Sequence, residues 1–295
     1  MKMNDNDGPL YHDHFYRSAD DRLNLYARIY DIGAKTTPIL LMHGLTRNSA
    51  DFENLAAILS PHHNLIIPDQ RGRGKSDYDN DPSQYRPDIY AADMFALLAS
   101  LNVKETVMIG TSMGGLIAML MAAHHQPICR ALILNDIGPE VESKGLRRLQ
   151  QYVGKSPKMN NWQDAANLCR ASNEIAFPDY DEKDWMKFAR RTCEMGQDGA
   201  LKFAYDLSIA NGVQGDKPNA APANLWPLWE ILNGIPILCI RGETSDILTP
   251  QILHKMHHSH APNFSYIEIM GRGHAPMLDE PDAVRAIEQF LQINR

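Results

Sequence analysis

The feature that most restricts the fold is an alternation. Four short apolar runs each end in glycine or a polar turn: Pro38-Ile39-Leu40-Leu41-Met42, Asn64-Leu65-Ile66-Ile67-Pro68, Val107-Met108-Ile109 and Ala131-Leu132-Ile133-Leu134. Between them lie segments of helical periodicity, over residues 49–59, 88–101 and 113–124. A run that is apolar at every position has no face to offer water. Such strands, alternating with helices, make a parallel sheet covered on both sides, so the fold class is α/β. Upstream, residues 14–17 and 23–30, with Asp20-Asp21 between them, read as an antiparallel hairpin.

The alternation stops after Asp136. From 138 to 232 the chain reads as helices and loops with no strand-like run. It then resumes with Ile235-Pro236-Ile237-Leu238-Cys239-Ile240, a further strand at 264–269 and a closing helix over 281–292. The expected domains are a core of residues 1–137 and 233–295, with 138–232 inserted as a helical cap. All four tryptophans, Trp162, Trp185, Trp226 and Trp229, fall in the insertion. They either pack a small core there or face a binding cleft, and the usual burial of tryptophan favours the core.

Charge and composition exclude several classes. The formal net charge is −7 and no basic stripe is visible, which argues against a nucleic-acid partner. No apolar run is long enough to span a bilayer. The N-terminus, MKMNDNDGPLYHDHF, is polar and acidic and lacks the apolar core of a secretory signal. Cys129, Cys169, Cys193 and Cys239 are scattered, which fits four reduced thiols in a cytoplasmic protein.

The chemistry is concentrated at Gly110-Thr111-Ser112-Met113-Gly114-Gly115. It closes a strand and opens a helix, the setting in which G-x-S-x-G is informative. So abrupt a change of direction strains the residue at its tip. Gly110 and Gly114 would let backbone pass close by, and Gly115 would let the helix approach the sheet. A serine hydroxyl needs a base, and the base needs an orienting acid. The candidate base is His274, in the loop after the last strand. The candidate acid is Asp246, in the loop after the strand that resumes the sheet. Asp136, at another strand end, is a rival acid, and Glu243 a weaker one. All lie beyond the carboxyl ends of parallel strands, where open α/β sheets place their sites. The order Ser112, Asp246, His274 is that of the serine elbow. Two backbone N–H groups would receive the oxyanion, that of Met113 and that of Leu45 in His43-Gly44-Leu45-Thr46; His43 itself reads as structural.

On these residues the chain resembles the α/β-hydrolase superfamily over nearly its full length. The landmarks are His43-Gly44, Asp69-Gln70-Arg71-Gly72-Arg73-Gly74-Lys75-Ser76, Ser112, Ser245-Asp246 and Gly273-His274. The resemblance implies an eight-stranded, mostly parallel sheet with a helical cap after the sixth strand, and a triad of Ser112, His274 and Asp246. Within the superfamily the chain is similar to capped bacterial carboxylesterases and lactonases. Aspartate-elbow dehalogenases and epoxide hydrolases are disfavoured by Ser112. Carbon–carbon bond hydrolases are disfavoured by the glycine-poor loop at 43–48.

Three other signals have plainer readings. Gly74-Lys75-Ser76 resembles the end of a phosphate loop, but Asp69 stands where that pattern needs glycine, and a tight turn near the site is the better reading. His254, His257, His258 and His260 lack a carboxylate or cysteine to complete a metal set and read as a solvated helix face. Met94, Met108, Met119 and Met121 read as core filler.

The resulting expectation is acyl transfer from an ester, lactone or thioester to water, without metal or organic cofactor. The substrate would be a small molecule with an apolar or aromatic group, and a homodimer is compatible with the sequence. Rival readings are a carbon–carbon bond hydrolase of aromatic degradation, a cofactor-free oxygenase on the same scaffold and a ligand receptor that keeps a hydrolase pocket.

Overall fold

The structure, a computed structural model, describes residues 11–196, 199–212, 224–260 and 262–294. The N-terminal stretch 1–10, read above for a signal, lies outside them. In chain order the strands are β1 (His12–Arg17), β2 (Asn24–Tyr30), β3 (Ile39–Met42), β4 (Leu65–Asp69), β5 (Thr106–Thr111), β6 (Cys129–Asn135), β7 (Cys193–Met195), β8 (Leu201–Phe203), β9 (Ile237–Gly242) and β10 (Phe264–Ile269). The α-helices are α1 (Glu53–Leu59), α2 (Pro87–Ser100), α3 (Met113–His124), α4 (Ser143–Tyr152), α5 (Trp162–Asn173), α6 (Glu182–Thr192), α7 (Trp226–Ile231), α8 (Pro250–His260) and α9 (Pro281–Ile293).

Eight strands form one sheet in the order β1-β2-β4-β3-β5-β6-β9-β10. β1 pairs antiparallel with β2 and β2 with β4; the remaining pairs are parallel. The expected N-terminal hairpin is therefore present. Side chains alternate across a strand, so each apolar run feeds two cores. Leu40, Met42, Met108, Leu132 and Leu134 meet residues of α2, α3 and α8 on one face. Ile39, Leu41, Val107, Ile109 and Ile133 meet residues of α1 and α9 on the other. Met94, Met108, Met119 and Met121 all belong to the first core.

The segment between β6 and β9 departs from the sequence reading in one respect. Besides α4 to α7 it contains a short antiparallel hairpin, β7 with β8. Three residues per strand are too few to show an alternation in sequence. Part of this segment packs a core of its own, in which Trp185, Phe177, Phe188 and Cys169 are buried and Trp162 is partly so. Trp229 instead joins the main core beside Leu232, and donates its Nε1–H to Ser259 Oγ at 3.0 Å. The tryptophans are thus packing groups. His254, His257 and His258 are exposed, but His260 is buried against the Trp229 ring, which corrects the reading of four solvated histidines.

The four cysteines are buried free thiols. Among the described residues no helix is long and apolar enough to cross a membrane.

Candidate active site

The turn after β5 explains its glycines by contact. A Cβ on Gly110 would lie 2.4 Å from backbone atoms of Gly114 and Gly115. On Gly114 it would lie 2.0 Å from Met42 O, and on Gly115 2.3 Å from Ile137 Cγ2. Only hydrogen fits at these three positions. Ser112 sits at φ 53° and ψ −115°, a conformation that costs an L-residue of order 1–3 kcal/mol. The surroundings hold it there: its N–H donates to Asn135 O at 3.0 Å, and its carbonyl accepts from Gly115 and Leu116. Asn135 also donates its side-chain amide to Thr111 Oγ1 at 3.0 Å and to Pro276 O at 2.8 Å, which ties the elbow to the loop that carries His274.

Ser112 and His274 come together as expected. Ser112 Oγ and His274 Nε2 are 2.8 Å apart. The other ring nitrogen, Nδ1, is 2.7 Å from Oδ2 of Asp136. A carboxylate only accepts, so Nδ1 carries the proton and Nε2 of the neutral ring is left to accept from the serine hydroxyl.

The acid assignment is corrected. Asp136, not Asp246, holds His274. Asp136 is the residue directly after β6, at φ 56°, and it is fully buried. Its Oδ1 accepts the Gly242 N–H at 2.8 Å, and its Oδ2 accepts both the Ser245 hydroxyl at 2.6 Å and His274 Nδ1–H. Ser245, the neighbour of Asp246 in sequence, thus supports the carboxylate at the neighbouring strand end. Its Oγ in turn accepts from the N–H groups of Ile247 and Leu248. Sequence reasoning missed this role.

Asp246 is engaged elsewhere. Arg148, on α4, donates to it through Nε at 2.7 Å and Nη2 at 2.9 Å. This fork matches a carboxylate in both spacing and charge. Burial pushes the Asp246 carboxyl up, but the Arg148 hydrogen bonds and charge outweigh it and hold the group below its ordinary range. Backbone contacts make the same junction. Glu142 N–H donates to Ile247 O at 3.0 Å, and a Cβ on Gly145 would lie 2.4 Å from Asp246 O. Glu243 accepts the Gly271 N–H at 2.8 Å and takes no part in the relay.

The loop after β3 faces the elbow. A Cβ on Gly44 would be 3.8 Å from Ser112 Cβ, and Leu45 lines the cavity in which Ser112 lies. Arg73, fully buried, donates from Nε to Leu45 O at 3.0 Å and from Nη1 to Tyr90 Oη at 2.8 Å, fixing the loop from behind. Met113 is the first residue of α3, so its N–H is one of those a helix start leaves without an intrahelical acceptor. His43 is structural. Its Nδ1–H donates to Gly44 O at 2.8 Å, its Nε2 accepts Gln70 N–H at 3.0 Å, and burial pushes its pKa down to about 4, so it is neutral. The stretch 69–76 is a tight turn behind this loop: the Asp69 carboxylate accepts the N–H groups of Ser49 and Lys75, and a Cβ on Gly74 would lie 2.1 Å from it.

Beside Ser112 lies a cavity of about 90 Å³ with Leu149, Tyr152, Phe177 and Phe188 in its wall. A second, of about 130 Å³, adjoins it through Thr46, Arg47, Tyr152 and Asn173. Arg47 lies 3.9 Å over the Phe188 ring, pairs with Asp51 and donates to Thr192 Oγ1 at 2.6 Å. Among the described residues no tryptophan lines either cavity.

The sheet order, the strained serine and the histidine arriving from beyond β10 are those of one fold family. The chain belongs to it: the family model described as alpha/beta hydrolase fold matches residues 37–281. A crystal structure of an alpha/beta hydrolase from Novosphingobium aromaticivorans superposes with a TM-score of 0.88 at 40% identity, over 96% of this chain and 98% of that one. The 3-hydroxybutyrate-oligomer hydrolase of Cupriavidus necator is 30% identical over 89% of this chain and 91% of its own length. The 2-(acetamidomethylene)succinate hydrolase of Mesorhizobium japonicum is 26% identical over 86% and 87%. The chain is a hydrolase of this family.

Proposed function

We propose that the chain is a serine hydrolase that cleaves a carboxylic ester through an acyl-enzyme on Ser112. The observation that carries this is the unbroken relay from Ser112 Oγ through His274 to Asp136. Ser112 attacks the ester carbonyl as His274 Nε2 takes its proton. The N–H groups of Met113 and Leu45 receive the negative oxygen, helped by the positive end of α3. Asp136 keeps the Nδ1 tautomer and stabilises the imidazolium. His274 then protonates the leaving alkoxide. A water gives its proton to the same nitrogen and attacks the acyl carbon, and the acid leaves as His274 returns that proton to Ser112 Oγ. The segment between β6 and β9 acts as a cap that walls the acyl pocket with Leu149 and Phe177. A pocket of this size suits an apolar acyl group of a few carbons. The relationship to a hydrolase of hydroxybutyrate oligomers, in which the repeating bond is an ester, supports the ester reading. The relay favours hydrolysis over a receptor, which needs no nucleophile.

Incubation with a fluorophosphonate followed by peptide mapping is expected to modify Ser112, and Ser112→Ala should abolish both labelling and nitrophenyl-ester turnover. A folded protein whose Ser112 stays unmodified would overturn the reading.

A further inference from the structure

The cavity beside Ser112 shares its far wall with the cavity of about 130 Å³. Thr46 and Arg47, from the loop after β3, and Tyr152 and Asn173, at the ends of α4 and α5, border both. The junction is thus framed by the core on one side and by two helices of the inserted segment on the other. The two other clefts near the relay share less with the Ser112 cavity: one meets it only at His274, the other only at Phe188 and Met277.

The second cavity offers an apolar surface. Pro157, Leu168, Phe203 and Tyr205 stand in its wall, and the rings of the last two stack with centroids 5.5 Å apart. Its polar side chains are engaged elsewhere. Ser172 Oγ donates to Leu168 O at 3.1 Å, Thr192 Oγ1 to Phe188 O at 2.7 Å and Asn173 Nδ2 to Cys169 O at 2.8 Å. Arg47 is held by Asp51, and Lys155 is exposed, so its ammonium can stay in water. Among the described residues no carboxylate lines this cavity. An aliphatic chain could be buried here without stranding a donor or a charge.

A leaving alkoxide must lie next to the nitrogen that protonates it, so the alcohol half of the ester sits by His274. His274, Ala275, Pro276 and Met277 line the first cavity, and among the described residues none of that loop lines the second. The second cavity is reached instead past Thr46 and Arg47, which continue the loop that carries Leu45. The substituent that heads there is the one that does not leave. We infer that the acyl chain of the substrate runs from the first cavity into the second, so that the substrate class is the ester of an unbranched aliphatic acid of medium length. This rests on the serine-esterase reading and adds to it the length and polarity of the acyl chain.

The test follows nitrophenol release from nitrophenyl butanoate, octanoate and decanoate, each kept below its micelle concentration. In the wild type, kcat/KM for octanoate should exceed that for butanoate by about tenfold, less than full burial of the extra methylenes would allow. Ser172→Trp, which fills the second cavity from α5, should bring that ratio down to roughly one. Leu168→Ala, which enlarges the same cavity, should raise decanoate relative to octanoate by about threefold. Thermal unfolding checks that each variant is folded; if Ser172→Trp is not, Leu168→Ala decides. Octanoate no better than butanoate in the wild type, or a preference that neither folded variant moves, overturns the inference. If that happens while Ser112 is labelled by the fluorophosphonate and butanoate is hydrolysed, only the acyl-chain inference falls. If no ester is cleaved and Ser112 is inert, the serine-esterase reading has failed and the inference with it.

Discussion

Two adjacent strands, β6 and β9, each present an aspartate beyond their carboxyl ends, and the two have opposite fates. Asp136 is fully buried, accepts from the Gly242 N–H and the Ser245 hydroxyl, and grips His274. Asp246 is half-buried, takes two from Arg148 and fastens α4 to the loop after β9. One carboxylate holds the imidazole, the other fastens α4. The difference lies in the donors. Around Asp136 they are a strand-end amide, a serine hydroxyl and an imidazole, none a permanent charge. Around Asp246 the donor is a guanidinium, which is always charged and claims the carboxylate for itself.

The contrast can be broken or sharpened by substitution. Asp136→Asn should lower kcat for a nitrophenyl ester about ten-thousandfold, because the imidazole loses both its tautomer and its counter-charge; thermal unfolding should show the protein still folded. Ser245→Ala removes one donor to Asp136 and should lower kcat about tenfold, within the range of a hydrogen bond to a charged group.

Acid should separate the two regions by window. His43, in the loop after β3, has its pKa pushed down to about 4 by burial, against about 6.5 in an unfolded chain. The unfolded chain therefore binds a proton first. The stability this provides is intact above pH 6.5 and is lost as pH falls toward 4, reaching roughly 3 kcal/mol. The Asp246 carboxyl is held below its ordinary range, so its contribution persists to about pH 4 and is lost only below that. Urea midpoints measured against pH should lose the upper slope in His43→Gln and the lower slope in Asp246→Asn. The smallest effect should be on turnover: Asp246→Asn should change kcat by less than about threefold, since the Arg148–Asp246 pair does not touch the reacting atoms.

Much of this was legible in the sequence, and the reason is local. Apolar runs at 38–42, 107–109 and 131–134 carry their own burial pattern, and GTSMGG carries its own steric demand. His274 could be read because one histidine stands beyond the last strand. The acid could not, because sequence gives strand ends but not which side chain turns inward. Asp136 was visible as a rival; what decides against Asp246 is Arg148, 98 positions away, and Ser245, whose hydroxyl points to a neighbouring strand. Such choices are made by long-range contacts. The β7–β8 hairpin was hidden for a different reason, its strands being three residues long.

The most direct test of which carboxylate grips the imidazole is proton NMR of histidine-¹⁵N-labelled protein, observing the Nδ1–H of His274 in its short bond to the acid. The resonance should persist, strongly downfield, in the wild type and in Asp246→Asn, and disappear from that region in folded Asp136→Asn. Its survival in Asp136→Asn together with its loss in Asp246→Asn would contradict the account.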